Sequence, residues 1–288
     1  MKNKFFKIIY SFLLYGFALV GVVFTGVFIA MRLHLTDVKG SIDSRNSFYN
    51  QVKDTASRIN FAQDKIKYIN NGVWMNSSEW MSLKEGIIKD KDLIDRVSTE
   101  SGVPARLIVS SIIPEQLRFF TSNRESFKKY FEPLKILGTY TQFSYGISGI
   151  KMETAKQIED NLKDRTSPFY LGTQYENVLD YQNVIDLDAQ RLERFTNSHD
   201  HYYSYLYTAI YIKEIMAQWQ NAGYSINDRP EVLSTLFNLG FAKSVPKENP
   251  DVGGSVITIN NMDYTFGGLS YDFYYSAELS DIFPIVVQ

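Results

Sequence analysis

The sequence predicts a mainly α-helical fold with a small C-terminal β-hairpin, preceded by one N-terminal transmembrane helix. Three observations lead there. The run from Ile8 to Met31 contains no charged residue, in a chain of 288 residues whose overall 44% hydrophobic and 22% charged content is that of an ordinary globular protein. From about residue 86 to Gly240 apolar residues recur at helical spacing between capping and stopping signals. Beyond Pro250 the pattern changes to alternation on either side of Asn260-Asn261.

Charge and cysteine content exclude several functions at once. Thirty basic and 32 acidic side chains give a formal charge of −2, without the basic excess that a phosphate-tracking surface needs, so nucleic acid is not an expected partner. The chain has no cysteine, which removes disulfides, thiolate metal cages and a cysteine nucleophile.

The first element is the apolar run. As a helix at about 1.5 Å per residue it reaches about 36 Å, enough to cross a bilayer. Phe28 and Ala30 stand where a cleavable signal peptide would need a small-x-small pair, so the segment reads as an uncleaved anchor over residues 1–35. Lys2, Lys4 and Lys7 before the span, against Arg32, Lys39 and Arg45 after it, lean towards a cytoplasmic N-terminus. The remainder would then lie on the far side of the membrane.

A membrane-proximal helical segment is expected over residues 36–85. Tyr49, Val52, Ala56, Ile59, Ile66 and Ile69 form one apolar stripe, suited to packing on the chain's own domain or to a short coiled coil, and Asn70-Asn71-Gly72 stops it. The stretch from Trp74 to Trp80 reads as a connector, with a domain boundary near residues 82 to 92. The main domain, residues 86–288, opens with Ser101-Gly102-Val103-Pro104, which starts a helix bearing Leu107, Ile108, Ile112 and Ile113. Ala155, Ile158 and Leu162 mark the face of a second helix, and Tyr202 to Trp219 is apolar nearly all round, as a central buried helix is. Asp228-Arg229-Pro230-Glu231 supplies a cap, a first-turn proline and an acid, and Gly240 ends the helix. The hairpin of Ser255–Ile259 and Asp263–Phe266 is followed by an aromatic-rich helix around Tyr271 to Leu279.

One residue stands out chemically. Glu115 follows Ile112-Ile113-Pro114 in an apolar helix that Pro114 is expected to kink or end, leaving the acid at a helix terminus within reach of a cleft. Desolvation there would favour the protonated acid, the form that hands a proton to a leaving oxygen. The alternative is a Glu115–Arg118 pair on an exposed last turn. His199-Asp200-His201 has metal-capable types but reads as a solvated helix start, and no metal site is expected.

Two further segments bring a family into view. Gly146-Ile147-Ser148-Gly149-Ile150-Lys151-Met152-Glu153-Thr154-Ala155 resembles the Gly-Leu-Met-Gln-hydrophobic-x-Pro-x-Thr-Ala segment of lytic transglycosylases with a goose-type lysozyme fold. Leu236-Phe237-Asn238-Leu239-Gly240 resembles their Ala-Tyr-Asn-Ala-Gly segment, and the stretch from Ser101 to Glu115 is similar to the helix that ends in their catalytic acid. The motifs come in the family's order, over roughly residues 86 to 245.

The resemblance implies a lysozyme-like α+β domain that cleaves the bond between N-acetylmuramic acid and N-acetylglucosamine in peptidoglycan, anchored in the cell inner membrane with its C-terminal domain in the periplasm or outside the cell. It implies Glu115 as acid and base, Asn238 as a sugar ligand beside the scissile bond, and Gly146 as the point where backbone approaches glycan. Gln116, Tyr145, Ile147, Ser148, Gly149 and Phe237 complete the implied substrate-binding set. No cofactor and no metal are needed; the partners are glycan strands, the membrane and other envelope proteins. One acid suffices if the muramic C6 hydroxyl closes a 1,6-anhydro ring, whereas ordinary glycosidases need two carboxylates. The chain departs from the family at Gln116 (serine), Ser148 (methionine), Gly149 (glutamine), Met152 (proline) and Phe237, where a phenyl ring replaces the tyrosine whose hydroxyl helps hold the acid. Thr121 to Ser144 is an insertion, read as a lid over the groove. A domain that keeps the lysozyme shape and holds glycan, or serves as an envelope scaffold, without cutting is the alternative reading.

Overall fold

The computed structural model describes residues 14–18, 20–26, 29, 72–121, 144–145, 147–182, 186–197 and 200–286, with the side chains of 120, 121, 144 and 145 left out. The chain divides into two units, residues 1–39 and 40–288. In the first, residues 14–18 and 20–26 are helical, and Leu14, Tyr15, Phe17, Val20, Val22 and Val23 are exposed. The Thr25 hydroxyl donates to the Gly21 carbonyl at 2.8 Å, satisfying itself within the helix. Among the described residues no helix is long and apolar enough to cross a membrane. The expected span over 8–31 falls partly outside those residues, the helix over 36–71 entirely so, and the lid between Thr121 and Ser144 apart from its ends.

The second unit is mainly helical. A 3₁₀ turn, Val73–Asn76, leads into α1 (Ser78–Lys89), capped by the Ser77 hydroxyl, which accepts from Trp80 N at 3.2 Å. Trp74 and Trp80 are fully buried, edge-on to each other at 5.2 Å, with Trp80 also against Phe273 at 5.8 Å. The expected connector is therefore part of the core, and the expected boundary near residues 82–92 falls inside α1 and the helix after it. Two buried indoles bind this stretch to the domain more firmly than its short polar residues suggest.

Next come α2 (Lys91–Ser101), closed by Gly102 in the left-handed region at φ 69°, and α3 (Ala105–Thr121). Pro114 does not end α3; the helix runs on through it to Thr121. The proline costs about 3 kcal/mol. Leu107, Ile108, Ile112, Ile113 and Leu117 are buried on both sides of it, each contributing about 1.5–3 kcal/mol, and their burial outweighs the lost bond.

A two-stranded antiparallel ribbon follows, β1 (Ser144–Tyr145) with β2 (Ile150–Lys151), pairing Tyr145 with Ile150. It leads into α4 (Met152–Lys163), whose Ala155, Ile158 and Leu162 are buried as their spacing predicts. After α5 (Leu187–Thr196) comes α6 (Tyr202–Asn221), buried through most of its length and packed against α2, α3, α4, α5 and α7. Helix α7 (Pro230–Leu239) begins at the predicted proline and stops at Gly240, φ 94°. Its N-cap is Arg229 rather than Asp228; the Asp228 carbonyl instead accepts the Tyr275 hydroxyl at 2.9 Å.

The expected hairpin is present as β3 (Val256–Ile259) and β4 (Met262–Thr265), turned by Asn260 and Asn261 at φ 50° and 61°. The last helix, α8 (Phe266–Tyr274), starts earlier and stops earlier than the expected 271–279, and Thr265 caps it. Its end is set from outside. Arg106 of α3, fully buried, donates to the carbonyls of Phe273, Tyr274, Ser276, Glu278 and Phe283 at 2.7–3.0 Å. A guanidinium has five N–H donors and all five are used, so the carbonyls at and beyond the end of α8 turn to Arg106 instead of continuing the helix. Burial lowers the Arg106 guanidinium to about 10.

Candidate active site

Helix α3 carries Glu115, itself only 8% exposed, nearly two turns before its end and not at a terminus. The carboxylate has two defining neighbours. Nη2 of Arg118, one turn on, lies 2.5 Å from each carboxylate oxygen. Gly149, at φ +63°, presses against it so closely that a β-carbon there would fall 2.1 Å from Oε1. Glycine is thus required at 149 both by the backbone conformation and by the acid. The expected pair with Arg118 exists, but it is part-buried rather than on an exposed turn.

The glycine-bearing segment is fastened to α3 at a second point, where the Gln116 amide donates to the Ile147 carbonyl. Ser148 between them is buried, and its hydroxyl finds no partner among the described residues. The ribbon β1–β2 brackets this turn, with Ile150 in the core. Gly146 and the side chain of Tyr145 lie outside the described residues.

Asn238, near the C-terminal end of α7, reaches the same cluster indirectly. Its Oδ1 accepts from Ser255 N at 2.8 Å and from Ser255 Oγ at 3.0 Å, and Arg118 Nη1 donates to Ser255 Oγ at 3.4 Å. The loop bearing Ser255 is held along α7, since Gly253 N donates to Thr235 Oγ1 at 3.0 Å one turn before Asn238. Glu115, Arg118, Ser255 and Asn238 form one polar chain linking α3, α7 and the root of the hairpin. Phe237 points the other way, into the core, 5.1 Å from the Tyr211 ring and 6.5 Å from Phe266.

Arg118 and Ser255 carry the linkage although neither lies in the motif segments. The Gly253-Gly254-Ser255 run was the available sequence signal: Gly254, φ 84°, admits no β-carbon without coming within 2.9 Å of Asn238 Oδ1.

Glu214 of α6 is fully buried, and burial raises its carboxyl well above the ordinary range, against one hydrogen bond from Asn161 at 3.2 Å. It sits in the core, where no substrate reaches. A second carboxylate, Glu159, is pushed up by burial but brought below its usual value by bonds from Arg191, Tyr207 and Tyr181, an interlocked set joining α4, α5 and α6. His201 is engaged by Asp90 at 2.6 Å, and the Tyr205 hydroxyl donates to the same oxygen at 2.9 Å. Among the described residues no group of three or more metal-capable side chains is gathered. No family model, no curated protein and no solved structure matches the chain.

Proposed function

We propose that the chain is a membrane-anchored peptidoglycan lytic transglycosylase with Glu115 as its single acid and base. The observation that carries the reading is the convergence of three segments distant in sequence. Glu115 meets Gly149 directly and is joined to Asn238 through Arg118 and Ser255. These are the three segments on which the family resemblance rests, and nothing in the helical framework alone requires their polar residues to meet.

The chemistry needs one carboxyl. Glu115 gives its proton to the oxygen linking N-acetylmuramic acid to N-acetylglucosamine as the C1–O4 bond breaks. The carboxylate then takes the proton of the muramic C6 hydroxyl as the C1–O6 bond forms, so the acid is regenerated and no water is consumed. Asn238, linked to the acid through Ser255 and Arg118, supplies a polar ligand for the N-acetyl sugar. The exposed apolar side chains of the helical residues 14–18 and 20–26 support an anchor in the inner membrane, with the domain facing glycan strands and envelope proteins in the periplasm or outside the cell.

One observation favours the non-cleaving alternative. Arg118 contacts both oxygens of Glu115, as it would in a domain that only holds glycan. Full-length protein in detergent, incubated with purified sacculi, separates the two. Release of anhydromuropeptides by the wild type and its loss in Glu115→Gln is the expected result. Equal release by both proteins removes Glu115 as the acid, and binding without release by either leaves the scaffold reading.

A further inference from the structure

The Asn238 amide has its polarity fixed from outside the helix that carries it. The Ser255 backbone N–H donates to Asn238 Oδ1 at 2.8 Å, and the Ser255 hydroxyl donates to the same atom at 3.0 Å. A peptide N–H cannot accept, so turning the amide over would set its NH2 group against that donor and lose the bond. The two Nδ2 protons are therefore directed away from Ser255, and Nδ2 makes no hydrogen bond among the described residues. Asn238 is partly exposed, and its Nδ2 is not sealed in the core. The site thus holds a pair of N–H donors with no partner in the protein's own described residues.

The loop that imposes this orientation is itself fastened on three sides. Gly253 N donates to Thr235 Oγ1 at 3.0 Å, Gly267 N to the Gly253 carbonyl at 2.8 Å, and Phe266 N to the Ser255 carbonyl at 3.0 Å. Gly254, at φ 84°, lets the loop press so closely on Asn238 that a β-carbon there would come within 2.9 Å of Oδ1. Ser255 is held against α7 and the start of α8 independently of its bonds to Asn238, so the side chain adapts to the loop and not the reverse.

We propose that Ser255 is a positioning residue: by engaging the carbonyl end of Asn238 it makes the site present N–H donors to its ligand. The group taken there is an acceptor, an acyl or hydroxyl oxygen, and a group that can only donate is refused. The inference rests on the glycan-cleaving reading above and deepens it, naming which atom of Asn238 meets the sugar and what decides it. Ser255 acts through Asn238, and Glu115 remains the catalytic residue.

The test uses full-length protein in detergent and purified glycan strands. KM and kcat come from release of anhydromuropeptides, and dissociation constants come from titration calorimetry in an E115Q background, which cannot cleave. S255A keeps the backbone donor but loosens the amide; it is expected to raise KM and the dissociation constant about three- to tenfold with kcat changed by less than about twofold, and S255T, which restores the hydroxyl, to recover both. N238D keeps an acceptor for both Ser255 donors while replacing the Nδ2 donors by a second acceptor. It is expected to bind strands more weakly than N238A, because acceptor then faces acceptor, and it decides the matter if S255A does not fold. Strand binding by N238D equal to that of the wild-type amide, or an S255A loss that falls on kcat or is not recovered by S255T, overturns the inference. Cleavage with N238D tolerated defeats the inference alone, the expected binding pattern without cleavage by the wild type defeats the catalytic reading alone, and no binding of strands by any of these proteins defeats both.

Discussion

Gly149 faces Glu115 across a gap that only a hydrogen can occupy: a β-carbon at 149 would lie 2.1 Å from Oε1 and 2.3 Å from Cδ. The backbone at φ +63° is a second, independent demand for glycine at the same position. The acid's own location accounts for glycine at this position.

Gly149→Ala should therefore cost about 2–3 kcal/mol, part from the left-handed backbone and part from the clash. In a Glu115→Ala background the clash is gone and the cost should drop to about 1 kcal/mol. Urea unfolding of the four proteins gives the coupling between the two sites, and additive costs would show that they do not touch in solution.

Arg106 should be among the least replaceable residues of the domain. Arg106→Leu takes a donor from five carbonyls, of which the buried ones of Tyr274, Ser276 and Phe283 lose their bond at about 1–3 kcal/mol each, and is expected to abolish folding or leave only residual structure. Arg106→Lys keeps the charge but has three donors, so it should fold with a lowered midpoint. Near-UV circular dichroism and thermal unfolding follow both; a wild-type melt for the leucine variant would show that the cage is not made.

Asp272 sets a pH dependence of opposite sign to that of most carboxylates. Burial pushes its carboxyl up to about 6, against the Trp74 indole, which donates to it at 3.3 Å. The folded state thus holds a proton that the unfolded chain has released between about pH 4 and 6, and stability from this group falls as pH rises through that window. Above it the ionised, partly buried carboxylate is a standing cost of about 2–3 kcal/mol. Asp272→Asn should be more stable than the wild type at pH 7, with the advantage vanishing towards pH 4. An advantage that stays constant across that range would contradict the assignment.

Glu214 offers a control for the acid. Burial keeps it neutral inside α6, so Glu214→Gln preserves shape and charge and should change stability by less than about 1 kcal/mol at pH 7. Digestion of sacculi should be unaffected, unlike that by Glu115→Gln. A loss of digestion in a fully folded Glu214→Gln protein would transfer the acid role away from Glu115.

Much of the framework was legible in the chain. Helices α3, α4, α6 and α7 follow from apolar spacing, and the turn at Asn260-Asn261 and the stop at Gly240 follow from residues that tolerate positive φ. The burial of Glu115 follows from its apolar neighbours in the sequence, whereas its contact with Gly149 and its link to Asn238 join segments that no local pattern connects.

The amino-acid order by itself determined where helices and turns form, since periodicity and backbone preference act over a few residues. Only the tertiary structure decided which of those signals prevail and which polar groups meet. Burial on both faces carries α3 through Pro114, the indoles of Trp74 and Trp80 draw an apparent connector into the core, and Arg106 ends α8 from 167 to 177 residues away. Glu115, Gly149, Ser255 and Asn238 belong to one cluster for the same reason: packing energy and charge pairing depend on contacts between distant segments, which no local pattern encodes.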